Sequence, residues 1–190
     1  MDNITAQLLE KLKHGNSNFI QNALSKPHQS TLQRSSLRDG QKPFAAILTC
    51  SDSRVVPELI FDVGLGELFV IRVAGNVANS STIASIEYAV AHLNIGLVIV
   101  LAHQNCGAVT AAANGNNDSE HLKHLLGFIA PAVTSANGKT IDDIAIMNAK
   151  LTSEKIKTDS KIIAEAIAND RLTILPAFYS LETGEVKFDN

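Results

Sequence analysis

The chain has 190 residues, of which 45% are hydrophobic, and a formal net charge of −3 at pH 7. This length suffices for one domain with a substantial buried core. The charge lacks the basic excess typical of proteins that bind nucleic acid or anionic membranes, so we expect neither as a partner. No run is long and apolar enough to cross a bilayer, and the first residues lack the pattern of a secretory signal, so we predict a cytoplasmic protein.

The first part of the chain predicts a helical arm ahead of the main domain. Residues 4–22 have the spacing of an amphipathic helix. Its apolar side carries Leu8, Leu9 and Leu12. The following segment, 25–40, is polar and serine-rich with a proline and a glycine, which favours an irregular connector. The apolar side of the helix therefore needs a partner, for which another subunit is a candidate.

The rest of the chain alternates between strand and helix patterns. Short apolar runs that predict strands buried on both faces lie at residues 44–49, 68–73, 97–102 and 172–178. Helical patterns lie at residues 57–61, 80–93, 107–113, 120–135 and 141–169, with Ser80 or Ser81 as the N-cap of the second. A turn at 183–184 leads to a short last strand, 186–188.

This order predicts an α/β fold. We expect a mostly parallel central β-sheet flanked by helices, with an N-terminal helical arm and a short antiparallel edge strand at the C-terminus. Residues 1–190 would form a single domain, divided into an arm at 1–38 and an α/β core at 39–190.

Two short segments contain both cysteines, each near another potential zinc ligand. They are residues 50–54 (Cys-Ser-Asp-Ser-Arg) and residues 103–107 (His-Gln-Asn-Cys-Gly). Cys50 and His103 follow predicted strands, and functional groups of open α/β sheets gather at the carboxyl ends of strands. Cys106 lies at a helix start, where backbone N–H groups favour a thiolate. Two thiolates, one imidazole and an exchangeable fourth position are typical of a catalytic zinc site.

Asp52 has two potential roles in such a site. It is either a conditional fourth ligand of the metal or, when a bidentate pair with Arg54 holds it away, an acceptor of a hydrogen bond from the nucleophile. A thiol hydrolase pair of Cys50 and His103 is an alternative, but it leaves Cys106 without a role. Packing of both cysteines as small core residues is less favoured, because their neighbours are polar.

These residues resemble the β-class carbonic anhydrases, in particular the plant-type members with an open metal site. Beyond the two metal segments, the similarity includes residues 68–70, 75–76, 85–90 and 179–184. The resemblance implies an enzyme with one Zn²⁺ per subunit that reversibly hydrates CO₂ to bicarbonate and a proton, by attack of zinc-bound hydroxide. It assigns Cys50, His103 and Cys106 as zinc ligands, and Asp52 with Arg54 as the catalytic pair.

The resemblance also implies a substrate pocket. Gln41 matches a glutamine that binds substrate in plant-type members, and its presence favours the open site. Phe69 and Tyr88 match aromatic positions of the substrate cleft, and we expect Ala74 and Gly107 to line it as well. In the family this cleft lies at a dimer interface that the N-terminal helix crosses, so we expect a homo-oligomer, either a dimer or a dimer of dimers.

Three departures from the family pattern are visible, one of which is Ala102 in place of a usual glycine before His103. Ala74 replaces a larger valine, and the roomier pocket keeps open a second hypothesis, a hydrolase of COS or CS₂. Gln104 and Asn105 replace a common Ser-Asp or Ser-Ala pair, and neither is a predicted ligand. A third hypothesis, a non-catalytic zinc-binding protein, is disfavoured by the Asp52–Arg54 pair and by Gln41, which a purely structural site does not need.

Overall fold

A twisted sheet with helices on both faces organises the chain. The computed structural model describes residues 3–25, 27–116, 118–136 and 139–189. Within them the strands are β1 (Ala45–Thr49), β2 (Leu68–Arg72), β3 (Leu97–His103), β4 (Thr173–Tyr179) and β5 (Val186–Phe188). Their order is β2-β1-β3-β4-β5, parallel from β2 to β4, with β5 antiparallel to β4. The predicted α/β fold is confirmed, including its antiparallel edge strand.

The helices occupy the segments between and around these strands. They are α1 (Asn3–Ile20), α2 (Thr31–Ser36), α3 (Pro57–Ile60), α4 (Ser80–Leu93), α5 (Gly107–Ala113), α6 (Glu120–Gly127), α7 (Ala130–Ser135), α8 (Ile141–Asp159) and α9 (Lys161–Ala168). A 3₁₀ turn, Ala74–Asn76, joins β2 to the approach to α4. Among the described helices, none combines the length and the hydropathy that crossing a membrane requires.

The two faces of the sheet bury separate groups of apolar side chains. In β1, Ala46 and Leu48 belong to one group together with residues of α4 and α8, whereas Ala45 and Ile47 belong to the other. This alternation follows from the two-residue period of a strand. Both faces are covered, so β1 and β3 are buried along their whole length. This burial on both faces explains why the sequences of β1 and β3 are continuously apolar.

Helix α1 packs against its own chain. Leu9 and Leu12 are 1% and 0% exposed and belong to the apolar group that includes residues of β1, β3 and α3. Gly15 permits this close packing, because a Cβ atom there would lie 1.8 Å from the carbonyl oxygen of Phe61. The partner that the apolar side of α1 needs is therefore supplied, for Leu9 and Leu12, by the same chain and not by another subunit. We propose that residues 1–190 form one domain in which α1 is an integral part.

Asn16 joins α1 to two other parts of the molecule. Its side chain is almost fully buried. Its amide nitrogen donates to the carbonyl oxygen of Ile60 at 3.2 Å and to that of Gly184 at 2.8 Å. Its amide oxygen accepts from the N–H of Val186 at 2.8 Å. One side chain thus connects α1, the end of α3 and the turn at 180–185 between β4 and β5.

Local differences from the predicted elements have local causes. The connector predicted to be irregular contains α2, whose N-cap Ser30 accepts a hydrogen bond from the N–H of Gln33. None of the residues of α2 is buried, so the segment lacks the spacing of apolar residues by which a helix is predicted from sequence. Ser80 and Ser81 were the wrong N-caps for α4: the side chain of Asn79 accepts from the second and third N–H groups of that helix.

The two long helical segments are each interrupted. Residues 120–135 form α6 and α7, and Pro131 stands near the start of the second helix, where its missing N–H costs nothing. Residues 141–169 form α8 and α9, and Ser160 caps the second by accepting from the N–H of Ile163. The helical character of both segments is confirmed.

Candidate metal centre

The three predicted zinc ligands meet at the carboxyl ends of two neighbouring strands. Cys50 directly follows β1, His103 is the last residue of β3, and Cys106 is the N-cap of α5. Their ligand atoms all lie within 4.8 Å of one another. In the part of the chain that the structure describes, no other group of three or more histidine, cysteine or acidic side chains is close enough to hold a metal ion.

The imidazole of His103 is oriented as a metal ligand requires. Its Nδ1 lies 2.9 Å from the carbonyl oxygen of Gln104, so Nδ1 carries the hydrogen and Nε2 has the free lone pair. His103 is 0% exposed, and its Nε2 has no hydrogen-bond partner. A buried nitrogen without a partner is costly. A zinc ion bound between this nitrogen and the two sulfurs would remove that cost, so the residues fit the metal.

The two thiols influence one another strongly. Their sulfurs are 4.0 Å apart. The hydrogen bond between the two thiols is the main cause that lowers the pKa of Cys50, and the backbone N–H of Gly75 adds to it. The pKa of Cys106 is raised, first by its bond to Cys50 and then by burial. A bound divalent cation favours two thiolates.

A backbone amide also contacts the first sulfur. The N–H of Gly75 donates to Sγ of Cys50 at 3.3 Å. Gly75 has a φ of 71°, and a Cβ atom there would lie 2.6 Å from Cδ1 of Ile129. The positive φ and the tight space both favour glycine. Sequence reasoning noted Gly75 as part of a family match and missed its contact with the thiol.

Arg54 fixes the carboxylate of Asp52. Its Nε donates to Oδ1 at 2.9 Å and its Nη2 to Oδ2 at 2.8 Å, while its backbone N–H donates to Oδ1 at 2.9 Å. The side-chain bonds from Arg54 are the main cause that holds the pKa of Asp52 well below its usual range. Oδ2 of Asp52 is 3.9 Å from Nε2 of His103. The carboxylate therefore lies beside the three ligands while turned toward the guanidinium.

Two further charged residues hold the backbone of the metal segments. Nη2 of Arg72 donates to the carbonyl oxygen of Asp52 at 2.8 Å. Oδ1 of Asp142, at the start of α8, accepts from the N–H of Asn105 at 2.8 Å. Sequence reasoning missed both. Arg72 had a signal, since it is a charge at the end of an otherwise apolar strand, whereas nothing near Asp142 pointed to this role.

Gln104 connects the loop of His103 to the turn at 180–185. Its backbone N–H donates to the carbonyl oxygen of Tyr179 at 2.9 Å. Its side-chain oxygen accepts from the N–H of Glu182 at 3.1 Å and from the hydroxyl of Ser180 at 3.4 Å. The glutamine that departs from the family pattern thus has a defined structural role next to a predicted metal ligand.

The residues predicted to line the substrate pocket differ in their exposure. The rings of Phe69 and Tyr88 have centroids 6.2 Å apart, with Phe69 half-buried and Tyr88 exposed. Ala74 is the residue before Gly75 and is half-buried. Gly107 begins α5 directly after Cys106 and is exposed.

Gln41 does not lie near the predicted metal ligands of its own chain. It precedes β1, whereas Cys50 follows it, so the two lie beyond opposite ends of a strand about 16 Å long. Gln41 is exposed and lines a surface depression whose lining includes none of the three ligands. A single copy of the chain therefore does not assemble all the residues that the resemblance assigned to the substrate pocket.

Comparison with known proteins identifies the family. The family model described as carbonic anhydrase matches residues 45–186. The structure of the β-carbonic anhydrase CcaA is similar with a TM-score of 0.77 and 27% identity, over 97% of this chain and 88% of that one. The chain belongs to the β-carbonic anhydrase family. It is therefore an enzyme of the carbonic anhydrase class of lyases.

Other family members are similar over most of their length. Carbonic anhydrase 2 of Mycobacterium tuberculosis is 39% identical over 180 residues, covering 91% of this chain and 87% of that protein. A carbonic anhydrase of Mycolicibacterium smegmatis is 33% identical over 183 residues, covering 93% and 89%. A tetrameric β-carbonic anhydrase from Sordaria macrospora has a TM-score of 0.74 and 26% identity, covering 96% of each chain.

Proposed function

We propose that this protein reversibly hydrates CO₂ to bicarbonate and a proton at a zinc ion held by Cys50, His103 and Cys106. The observation that carries the proposal is the buried Nε2 of His103, which has no hydrogen-bond partner and lies within 4.8 Å of both sulfurs. When bound, Zn²⁺ would lower the pKa of a water molecule and so make it available as a nucleophile. Membership of the β-carbonic anhydrase family supports the same reaction.

Asp52 and Arg54 orient the nucleophile in this proposal. The two bonds from the guanidinium and the one from the backbone N–H use only part of the accepting capacity of the carboxylate. A free lone pair can accept a hydrogen bond from the nucleophile. Because Arg54 holds the pKa of Asp52 low, the carboxylate is an acceptor throughout the neutral and alkaline range. The same bonds oppose its movement onto the metal, which favours the open site.

The charge of the ligand set predicts the pH dependence. Two thiolates cancel the charge of Zn²⁺, so the pKa of water falls less than at a site with three imidazoles, where it is about 7. We therefore expect the rate of CO₂ hydration to increase toward alkaline pH. A flat profile from mildly acidic to alkaline pH contradicts this account.

A homo-oligomer would complete the substrate pocket. Gln41 lies beyond the opposite end of β1 from Cys50, so it could approach a metal centre only in another copy of the chain. The exposed ring of Tyr88, 49% accessible, next to Phe69 is consistent with an apolar wall at such an interface. The relative from Sordaria macrospora is described as tetrameric. We propose a dimer or a dimer of dimers, with Ala74 and Gly107 at the same pocket.

The two other hypotheses receive no support from the site. Ala74 remains the sole basis for a hydrolase of COS or CS₂. The relatives described above are named as carbonic anhydrases, which favours neither that hydrolase nor a non-catalytic zinc-binding protein.

The proposal is tested by stopped-flow CO₂ hydration with metal analysis of the same samples. Cys106→Ser should lose both zinc and activity, because a serine hydroxyl is a poor zinc ligand. Ser53→Ala, an exposed position in the other metal segment, is the control and should retain both. Full hydration activity in Cys106→Ser would rule out the proposed centre. Zinc bound at full occupancy with no activity at any pH would instead support the non-catalytic hypothesis.

A further inference from the structure

A buried amide lies behind the Cys50 side of the metal centre. Asn148, in the middle of α8, is 1% exposed. Its Nδ2 donates to the carbonyl oxygen of Gly75 at 2.8 Å. The N–H of the same glycine donates to Sγ of Cys50 at 3.3 Å. Two hydrogen bonds in series thus connect the helix to the thiol through one residue.

The backbone of Gly75 needs such an anchor. Its φ of 71° and ψ of 18° lie in the left-handed region, and glycine adopts this region and several others at similar cost. The direction of the N–H of Gly75 is therefore not determined by its own preference. A hydrogen bond to its carbonyl oxygen restricts the rotation of the turn and keeps the N–H directed at the sulfur.

Packing of α8 does not by itself require an asparagine here. The helix already buries apolar side chains, among them Ile144, Ala145 and Ile156, in the same apolar group as Cys50. A leucine, which has the same branching at Cγ, would bury more apolar surface, whereas a buried amide has to be hydrogen-bonded to be tolerated. The specific consequence of the amide is its bond to Gly75.

We infer that Asn148 is a positioning residue for the metal-binding sulfur of Cys50, acting through the backbone of Gly75. The inference rests on the zinc centre proposed above. An N–H donor to a ligating thiolate stabilises its negative charge and fixes its direction. Partners that orient metal ligands in this way typically change metal affinity by about 10–100-fold when they are removed.

The test compares zinc affinity and a spectroscopic signature in matched variants. Asn148→Leu removes the donor and keeps the branching and the number of heavy atoms of the side chain. Ser153→Ala is the control, because it removes a buried hydroxyl of the same helix that bonds only within α8, to the carbonyl oxygen of Ala149. Zinc affinity is measured by competition with a chromophoric chelator. The Co²⁺-substituted protein reports the thiolate–metal bond through its charge-transfer absorption.

We expect the dissociation constant for zinc to rise about tenfold or more in Asn148→Leu, with a shifted Co²⁺–thiolate band. Ser153→Ala should leave both at the values of the unmodified protein. Asn148→Ala, which also lacks the donor and has a smaller side chain, should behave like Asn148→Leu and replaces it if the leucine variant does not fold.

Thermal unfolding of the metal-free proteins distinguishes a role of Asn148 in stability from a role in positioning the sulfur of Cys50. A lower Tm in both Asn148 variants, with zinc affinity and Co²⁺ spectrum unchanged, would overturn the inference and leave Asn148 a residue of the core. If the unmodified protein binds zinc and hydrates CO₂ in that case, the proposed function stands and only the inference fails. If the unmodified protein binds no zinc, the proposed function itself fails.

Discussion

Replacing Asn16 with leucine should lower the free energy of unfolding by about 3 kcal/mol. Its amide makes three hydrogen bonds, of 3.2, 2.8 and 2.8 Å, to backbone groups of Ile60, Gly184 and Val186. Each bond contributes about 1 kcal/mol net, and each backbone group left buried without a partner costs about 1–3 kcal/mol. The apolar surface that leucine buries offsets part of this loss. For a chain of this length the corresponding fall in Tm is about 6–12 °C.

The measurement is urea unfolding of the metal-free protein, followed by circular dichroism. Asn18→Leu is the matched control, since Asn18 lies on the same helix, is less buried and donates to Oδ2 of Asp62 at 3.0 Å. Its loss should be about 1 kcal/mol or less. Equal losses in the two variants, or a loss below about 1 kcal/mol in Asn16→Leu, would refute the idea that this amide fastens α1 to the domain.

Three other substitutions test separate contacts. Gly15→Ala should lower the Tm, with a destabilisation of about 2 kcal/mol or more, because its Cβ would lie 1.8 Å from the carbonyl oxygen of Phe61; an unchanged Tm contradicts this packing. Gln104→Ala should weaken zinc binding, because the loop of His103 loses its hydrogen bonds to the turn at 180–185. An unchanged zinc affinity would show that these hydrogen bonds have no role at the metal. Arg54→Ala should reduce the unfolding free energy of the metal-free protein by a constant amount above pH 5. Asp52 has a lowered pKa in the folded state, so its contribution is present above the unfolded pKa, about 3.9, and disappears as the pH falls further. A difference between the two proteins that grows in acid would refute this assignment.

The placement of the predicted metal ligands could be inferred from the sequence because the ends of β1 and β3 could be. Continuous apolar runs locate β1 and β3, and the polar residues that follow each run mark where the strands stop. Cys50 and His103 then fall at the same edge of a parallel sheet. The parallel direction of the strands follows from the alternation of strands and helices. The adjacency of β1 and β3, which are not consecutive in the chain, was not predicted and is seen only in the structure.

The supporting contacts were not predictable in this way. Asn148 and Gly75 are 73 positions apart in the chain, and the amide of an asparagine in a helix gives no sign of which distant carbonyl it will meet. Asn16 bonds across 168 positions to Gly184. Such side-chain to backbone bonds depend on the final packing of helices on the sheet, to which patterns of apolar residues give no detailed guide. The partner of α1 was missed for the same reason.

The contacts of Gln104 make the proposed metal centre dependent on parts of the chain that contain none of its ligands. Cys50, His103 and Cys106 all lie within the first 106 residues. The loop of His103, however, is hydrogen-bonded to Tyr179 and Glu182 through Gln104, and β3 pairs with β4 along its length. The three ligand residues therefore do not by themselves specify the geometry of the centre, because part of what positions His103 lies 78 positions beyond Gln104 in the chain.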